Sequence, residues 1–592
     1  MALIVQKFGG TSVADTEKIL AASRKAVRAH QEGNQVVVVV SAMGKNTDLL
    51  IKLAAEIGEH PPAREMDMLL STGEQVSVAL MAMAIDSLGE QAVSLTGAQI
   101  GIRTDSTHTK ARIISISTER IQQLLDEGNI VIAAGFQGID EDYNITTLGR
   151  GGSDTTAVAL AAVLGANVCE IYTDVDGVYT TDPRKLAEAR RVSQISCDEM
   201  LELASLGAGV MHSRSIEFAK KFSVPIHVRS SFTDLPGTMI VAEPESPNMA
   251  VGGAAITMNE ARITVLGVPD VPGASFEIFS RIAEQNISVD MIVQNVGDEG
   301  HADISFTVPR DELQPTLDAV ASASQSLGAL DVTHDENVAK VSAVGLGMAQ
   351  QTGVADRMFR GLSEAGINIQ MITTSEIKIS VLVSRPEAQT ALRVIHEVFS
   401  LHQEPTDRPT FPATVSPEPR DPVDVVARLQ GVGMEELTID QITLDESQAR
   451  VSIHNVPDAP GVAAKVFEDV AAAGIFVDMI VQSYGRDGLA DLSFTVPKPT
   501  LQNSQQVADK LTSDFQCGPV TSSPDVCKLS VSGIGLRSHT GVAIRMFRSL
   551  AAADINIEMV NTSEVRVNVV VDGSKGLLAL KCLQTAFEDV LR

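Results

Sequence analysis

ALIVQKFGGTSV, residues 2–13, is the stretch from which the rest of the chain can be read. Leu3–Val5 is a short apolar run of the kind that forms a buried β-strand. The run ends at Lys7. Gly9, Gly10, Thr11 and Ser12 follow, and a helix-like pattern extends from Asp15 to Ala29. A strand, a glycine turn and a helix start bring backbone N–H groups and a helix dipole to one point, which suits a phosphate. Lys7 adds a cation at the edge of that turn, and Thr11 or Ser12 is the expected helix cap. Taken alone, the residues fit an ordinary strand-to-helix turn equally well, so the decision falls to the rest of the chain.

Outward from this turn, strands and helices alternate. Val36–Ser41, Gln91–Leu95, Ile130–Ala134 and Ile171–Thr173 are apolar runs, each followed by a polar turn. Strands apolar on both faces with helices between them imply a mostly parallel sheet. In such sheets ligands sit beyond the carboxyl ends of the strands. The turns Lys7–Ser12, Ser41–Thr47, Gly135–Gly138 and Thr173–Arg184 are therefore expected along one edge. Ser71-Thr72-Gly73-Glu74 precedes an apolar helix and reads as a cap with an acid in the first turn, which leaves Glu74 free to face the cleft. In Gly149-Arg150-Gly151-Gly152-Ser153-Asp154-Thr155-Thr156, capping accounts for Ser153 and Asp154, with the helix over Thr156–Leu164. It does not account for an arginine between glycines. Arginine offers a planar fork matched to a carboxylate or phosphate, and glycine lets a ligand approach the backbone.

The chain has 592 residues, 44% hydrophobic, which implies several domains with sizeable cores. Lys and Arg number 46 against 75 Asp and Glu, a net charge of −29. That argues against nucleic acid or an anionic membrane as the main partner. An anionic ligand must then be held by local cations, for which Lys7, Arg150, Arg184 and Arg214 are candidates. Cys169, Cys197, Cys517, Cys527 and Cys582 show no CxxC spacing. This predicts free thiols in a reducing compartment and no zinc framework. No signal pattern opens the chain, and Val76–Ile85 and Ala157–Ala166 fall short of the roughly 20 residues a membrane span needs. A cytoplasmic protein is expected. Asp174-Val175-Asp176-Gly177 lacks the glutamate an EF-hand needs at its twelfth position. No P-loop, protein-kinase set or hydrolase triad is present.

Four segments carry a resemblance: KFGGTSVA at Lys7–Ala14, STGE at Ser71–Glu74, GRGGSDTTA at Gly149–Ala157 and TDVDGVYTTDPR at Thr173–Arg184. Together, in this order, they resemble the aspartokinases of the amino-acid kinase superfamily. The resemblance implies an α/β fold, with an eight-stranded, mainly parallel sheet between helices over residues 1–245. It implies that Lys7, Phe8, Gly9 and Gly10 hold ATP phosphates, and that Ser41, Thr173, Asp174, Tyr179, Asp182 and Arg184 lie along the nucleotide. Thr47, Glu74, Arg150, Gly151, Gly152, Ser153 and Asp154 would lie along L-aspartate, with Lys7 and Asp154 as catalytic residues. Gly209 stands where the family often has a lysine, so a water, a metal or another cation must replace that phosphate contact. His212 nearby reads equally as a structural residue or a ligand.

The implied reaction converts aspartate and ATP to 4-phosphoaspartate and ADP. Its nucleophile, a carboxylate of pKa about 3.9, is ionised at neutral pH and needs no base. The difficulty is repulsion between anions, so catalysis should rest on positioning and charge neutralisation by Lys7 and Mg²⁺, with no metal-ligand set of the chain's own. Arg150 would grip the α-carboxylate, and Glu74 or Asp154 the α-ammonium.

The second half is a gapless duplication. Val268-Pro269-Asp270-Val271-Pro272-Gly273 recurs as Val456-Pro457-Asp458-Ala459-Pro460-Gly461, an offset of 188 residues (456 − 268). Asp290–Gln294 recurs at Asp478–Gln482 and Thr352–Ala355 at Thr540–Ala543, at the same offset. Each copy holds two strand–turn–helix units of ferredoxin-like pattern, resembling ACT domains. The expected modules are 251–335, 336–400, 437–523 and 524–592, with a proline-rich linker over 401–436. The resemblance implies effector amino acids, lysine and threonine, at Asp270, Gly273, Ala274, Ser275, Asp290, Gln294, Asn368 and Ile369. The repeat would use Asp458, Gly461, Val462, Ala463, Asp478, Gln482, Asn556 and Ile557. The plainer alternative is that the modules only dimerise, and a homodimer through their sheets is expected. Two competing functions remain at this point: a kinase for another acidic amino acid, and a non-catalytic amino-acid sensor, for which Gly209 is the support.

Overall fold

The structure is a computed structural model and describes residues 1–207, 210–246, 248–296, 300–405, 434–484, 488–536 and 541–591. Gly209, most of the proline-rich segment and Thr540 lie outside the described residues. The first sheet is built from β1 (Leu3–Phe8), β2 (Gln35–Val40), β3 (Ala92–Leu95), β4 (Ile130–Ala134), β5 (Val168–Thr173), β6 (Gln194–Ser196), β7 (Ile226–Ser230) and β8 (Thr238–Val241). Their order is β6-β8-β7-β5-β1-β2-β4-β3, parallel throughout except for β7 against β8. Val36–Val40 and Ile130–Ala134 are fully buried, which is what a parallel sheet covered on both faces demands. A smaller four-stranded sheet of hairpins spans residues 102–147.

Three expected helix starts differ. Gly10–Val13 is a 3₁₀ turn, and the helix that follows it, Thr16–Gln31, is capped by Asp15, whose carboxylate accepts from Lys18 N at 2.9 Å. Ser12 is instead buried and bonded to Ser231. Ser71 caps nothing, because the helix Ala63–Leu70 runs almost directly into Thr72–Ser87 and the Ser71 hydroxyl turns back to Met68 O. The helix Gly152–Val163 starts four residues before Thr156, capped by Gly151, so Ser153 and Asp154 lie inside its first turn. Ala63–Ser87 is also longer than the apolar run Val76–Ile85. At 25 residues and mean hydropathy 1.4 it is long and apolar enough to cross a membrane by length and composition. It buries Asp67, Leu70, Glu74, Val78, Met81 and Ile85 within the protein, as a core helix does.

The second half keeps the 188-residue offset in three dimensions. Ala274–Glu284 matches Val462–Ala472, Leu313–Leu327 matches Leu501–Phe515, and Ala388–Val398 matches Gly576–Ala586. The strands do not divide at the expected boundaries. Within Gly253–Pro269, residues 261–265 pair with 304–308 in the first module, whereas 253–257 pair with 340–344 in the second. Thr438–Asp445 likewise pairs with Val526–Ile534 of the fourth module although it precedes the third. Each even-numbered module therefore takes its edge strand from before its odd-numbered partner.

The modules pair within the chain. Met371–Ser375 of the second runs antiparallel to Ile480–Tyr484 of the third, joining ten strands into one sheet. Asp290–Val296 of the first lies alongside Met559–Thr562 of the fourth. Met291, Met371, Met479 and Met559, one from each module, meet in a shared core. The second and third modules thus pair edge to edge inside one chain. The kinase-side helix Cys197–Ser205 meets the modules through buried glutamates: Glu199 accepts from Leu346 N at 3.1 Å, and Glu202 pairs with Lys378 at 2.8 Å and accepts from Glu564 N at 3.1 Å.

Candidate active site

The carboxyl ends of β1, β2 and β4 open into a cleft of about 890 Å³, enough for two small substrates together. Lys7, Gly9, Gly10, Ser41, Thr47, Glu74 and Arg150–Asp154 all line it. A Cβ on Gly10 would stand 2.8 Å from Ala42 O, so only glycine lets the first two turns approach this closely. Lys7 Nζ lies 2.5 Å from Asp154 Oδ1, and both side chains are largely buried. Asp154 is thus held by the lysine rather than spent as a cap.

Glu74 differs from Asp154. It is 3% exposed, and its Oε1 accepts from Ala42 N at 3.0 Å, while Oε2 is buried without a hydrogen-bond partner. Burial pushes its carboxyl up to about 7 against the pull of the Ala42 amide. A buried acceptor with a spare oxygen suits a ligand ammonium. Arg150 is exposed and makes no ion pair or hydrogen bond among the described residues. It is flanked by Gly149 at φ +76° and Gly151 at φ +72°, and a Cβ on Gly151 would fall 2.4 Å from the Cβ of His212. Here the left-handed backbone and the close approach both require glycine. Burial, then Arg214, lowers the imidazole pKa of His212, whose Nδ1 accepts from Arg214 N at 3.4 Å. His212 thus packs against Gly151 while also lining the cleft.

Phe8 is fully buried and stacks on Tyr172 at 4.7 Å, so its ring faces the core rather than the cleft. Thr173 ends β5, and Asp174, Tyr179, Asp182 and Arg184 lie on the segment leaving it, all outside the walls of the cleft. Arg184 is 81% exposed and its fork is taken by Asp182, with Nε and Nη2 at 3.0 Å from the two carboxylate oxygens. That pairing, together with the Arg184 amide, holds the Asp182 carboxyl below its ordinary range. The Tyr179 hydroxyl donates to Asp176 at 2.7 Å.

Two parts of the site escaped the sequence reading. Asp67, fully buried, binds His108 Nδ1 at 2.7 Å, Thr109 N at 3.1 Å and Thr147 Oγ1 at 2.5 Å, and so fixes the strand that leads into the glycine loop. An acid set between Met66 and Met68 in AREMDMLL was its only signal. Met434, Glu435 and Glu436, together with Ile534 and Gly535, also line the cleft, brought there from more than 200 residues away.

The expected effector residues gather at the two module interfaces. Asn556 Nδ2 donates to Asp270 Oδ1 at 2.7 Å, Gln294 Nε2 to Ile557 O at 2.8 Å, and Ser275 Oγ to Gln294 Oε1 at 2.6 Å. In the other pair, Asn368 Nδ2 donates to Asp458 Oδ1 at 2.8 Å and Gln482 Nε2 to Ile369 O at 3.1 Å. Gly273 (φ +96°) and Gly461 (φ +94°) turn the chain into helices that begin at Ala274 and Val462, with Ala463 in the same wall. Asp290 and Asp478 do not join them. They form ion pairs with Lys340 and Lys528 and line separate cavities.

Comparison with known proteins follows the same division. Residues 2–230 match the amino acid kinase family, and 262–324, 341–399 and 529–587 match ACT domain models. An aspartate kinase of Stutzerimonas stutzeri is 51% identical over 403 residues, which is 68% of this chain and 98% of that protein. A crystal structure of aspartate kinase from Synechocystis is similar over 99% of this chain and 98% of its own, at 39% identity and TM-score 0.53. E. coli aspartokinase III, crystallised with aspartate and ADP, is similar over 67% of this chain and 99% of its own, at 27% identity and TM-score 0.56. The same enzyme was also solved with lysine and aspartate, described as a T-state.

Proposed function

This chain belongs to the aspartokinase family, and from that premise we propose that it transfers the γ-phosphoryl group of ATP to the side-chain carboxylate of L-aspartate. The products are 4-phospho-L-aspartate and ADP. One observation carries the reading: a single cleft joins a turn suited to phosphate, with Lys7, to a buried Glu74 oxygen and to Arg150, which has no ion pair among the described residues. The substrate ammonium meets Glu74 Oε2, because Asp154 is already engaged by Lys7. Arg150 takes the α-carboxylate. That leaves the β-carboxylate pointing to Lys7 and the Gly9–Gly10 amides, where the γ-phosphate rests.

No base is required, so these groups act by holding two anions in line and offsetting their charge. Mg²⁺ bound with ATP would supply neutralisation of phosphate charge, and Asp154, beside Lys7 at the phosphate end, is the carboxylate that would help hold it. Lysine and threonine are the proposed effectors, bound where Asp270 meets Asn556 and where Asp458 meets Asn368. In both places protein groups now satisfy one another, so an effector must displace those bonds. Both interfaces form within one chain.

ADP release coupled to a dehydrogenase readout, with hydroxylamine trapping of the acyl phosphate, tests the reading. Aspartate-dependent ADP and hydroxamate formation, inhibited by lysine or threonine, is expected. Turnover with glutamate but not aspartate would favour a different acidic substrate, and no turnover with either would favour a sensor.

A further inference from the structure

We infer that Arg214 is a positioning residue for the aspartate loop, and that Glu435, on the segment entering the second module pair, controls its grip. The inference rests on the assignment of Arg150 and its loop to aspartate. Arg214 stands in the first turn of the helix Ser213–Phe222, and its side chain is 16% exposed. Its guanidinium spreads over three partners: Nη1 donates to Leu148 O at 2.5 Å, Nη2 to Ala111 O at 2.6 Å, and Nε to Glu435 Oε2 at 2.6 Å. Leu148 is two residues ahead of Arg150. The intervening Gly149 and the following Gly151 are both left-handed, so the loop has little stiffness of its own. The Leu148 carbonyl is where its near end is pinned.

Glu435 is as deeply placed. Its side chain is 7% exposed, its second oxygen accepts from Ile113 N at 3.2 Å, and burial pushes its carboxyl upward against the pull of Arg214. Beside it Met434 is 2% exposed in the kinase core, with its amide on Ile114 O at 3.3 Å, while Lys221 Nζ binds Glu436 O at 2.9 Å. Two residues on, the chain becomes Thr438–Asp445, the edge strand of the fourth module. A movement of that module is therefore delivered, within three residues, to the guanidinium that pins the aspartate loop. A planar fork shared between two carbonyls and one carboxylate cannot keep all three when the carboxylate withdraws. Without Glu435 the buried cation is left uncompensated and turns from Leu148.

The test uses the full-length chain with Glu435→Gln, Arg214→Lys and the double variant, assayed for ADP release. Glu435→Gln is nearly isosteric and removes only charge. It is expected to raise the KM for aspartate five- to tenfold while the KM for ATP stays within twofold and the melting temperature stays within a few degrees. In the Arg214→Lys background the same change is expected to add little, because the two act through one contact. Inhibition curves for lysine and threonine are expected to shift in Glu435→Gln. An unchanged aspartate KM, a parallel rise in both KM values, or losses that multiply in the double variant would each overturn the inference. A wild-type chain with no aspartate-dependent ADP release would instead defeat the assignment beneath it.

Discussion

Replacing Glu74 by Gln removes one charge from the cleft, at the carboxylate proposed to meet the substrate ammonium. The side chain is 3% exposed, and one oxygen is already committed to Ala42 N at 3.0 Å. The other oxygen would lose its charge-assisted bond to the substrate ammonium. Hydrogen bonds to charged groups contribute about 1.5–3 kcal/mol. At roughly 1.4 kcal/mol per decade, the aspartate KM should rise by about one to two orders of magnitude. The KM for ATP should not follow. The wild type carries its own control, because burial places the Glu74 carboxyl at about 7. Only the ionised form receives an ammonium, so kcat/KM for aspartate should climb between pH 6 and 8, by roughly tenfold as the ionised fraction goes from about a tenth to about nine-tenths. Folding stability moves the other way. The folded state holds the proton more tightly than the unfolded one, so this group's contribution is complete at low pH and fades as pH rises through about 7. Steady-state ADP release against aspartate concentration, across pH, measures both effects. An aspartate KM within twofold of wild type in Glu74→Gln, or a pH limb that survives the substitution, would refute the assignment.

Lys7→Ala should cut kcat by roughly 10²–10³ with little change in aspartate KM, as loss of a preorganised cation at developing charge does; near-normal turnover would remove Lys7 from the mechanism. Gly151→Ala forces a Cβ to 2.4 Å from His212 Cβ at φ +72°, so aspartate KM should rise at least about tenfold. Gly207→Ala, at φ +83° with open space around it, should cost about 1–2 kcal/mol in a melting experiment and spare the kinetics. Gln294→Ala and Gln482→Ala each empty one module interface of its bridging amide. Each should abolish inhibition by one effector and keep the other, which dose–response curves will show; identical loss of both effects in either variant would contradict separate sites.

Much of the fold follows from local pattern. Val36–Val40 and Ile130–Ala134 have no face for water and had to be central strands, and the 188-residue offset survives in the helix boundaries. What local pattern missed involves partners far along the chain. Ser71 and Ser153 look like caps, yet the segments before them allow helix to begin earlier, so their side chains are free for other contacts. Residues 253–257 read as part of the first module, but their pairing with 340–344 is set by the sheet, not by sequence order. Which acid meets an ammonium was open on the sequence. The Lys7–Asp154 contact, between positions 147 residues apart, supports the proposal that Glu74, which has no such cation beside it among the described residues, is the acid that takes the ammonium. Asp290 and Asp478 matched in the repeat because they share a lysine partner, Lys340 and Lys528, rather than a ligand cavity with Asp270 or Asp458.

The central claim is that one cleft brings a carboxylate side chain to the terminal phosphorus of a nucleotide despite their like charge. A crystal structure of the full chain with aspartate and a non-hydrolysable ATP analogue tests it most directly. The account predicts the aspartate ammonium on Glu74 Oε2, its α-carboxylate on Arg150, and the γ-phosphate at Lys7 and the Gly9–Gly10 amides. A nucleotide bound away from Lys7, or aspartate lodged without contact to Glu74 and Arg150, would contradict it.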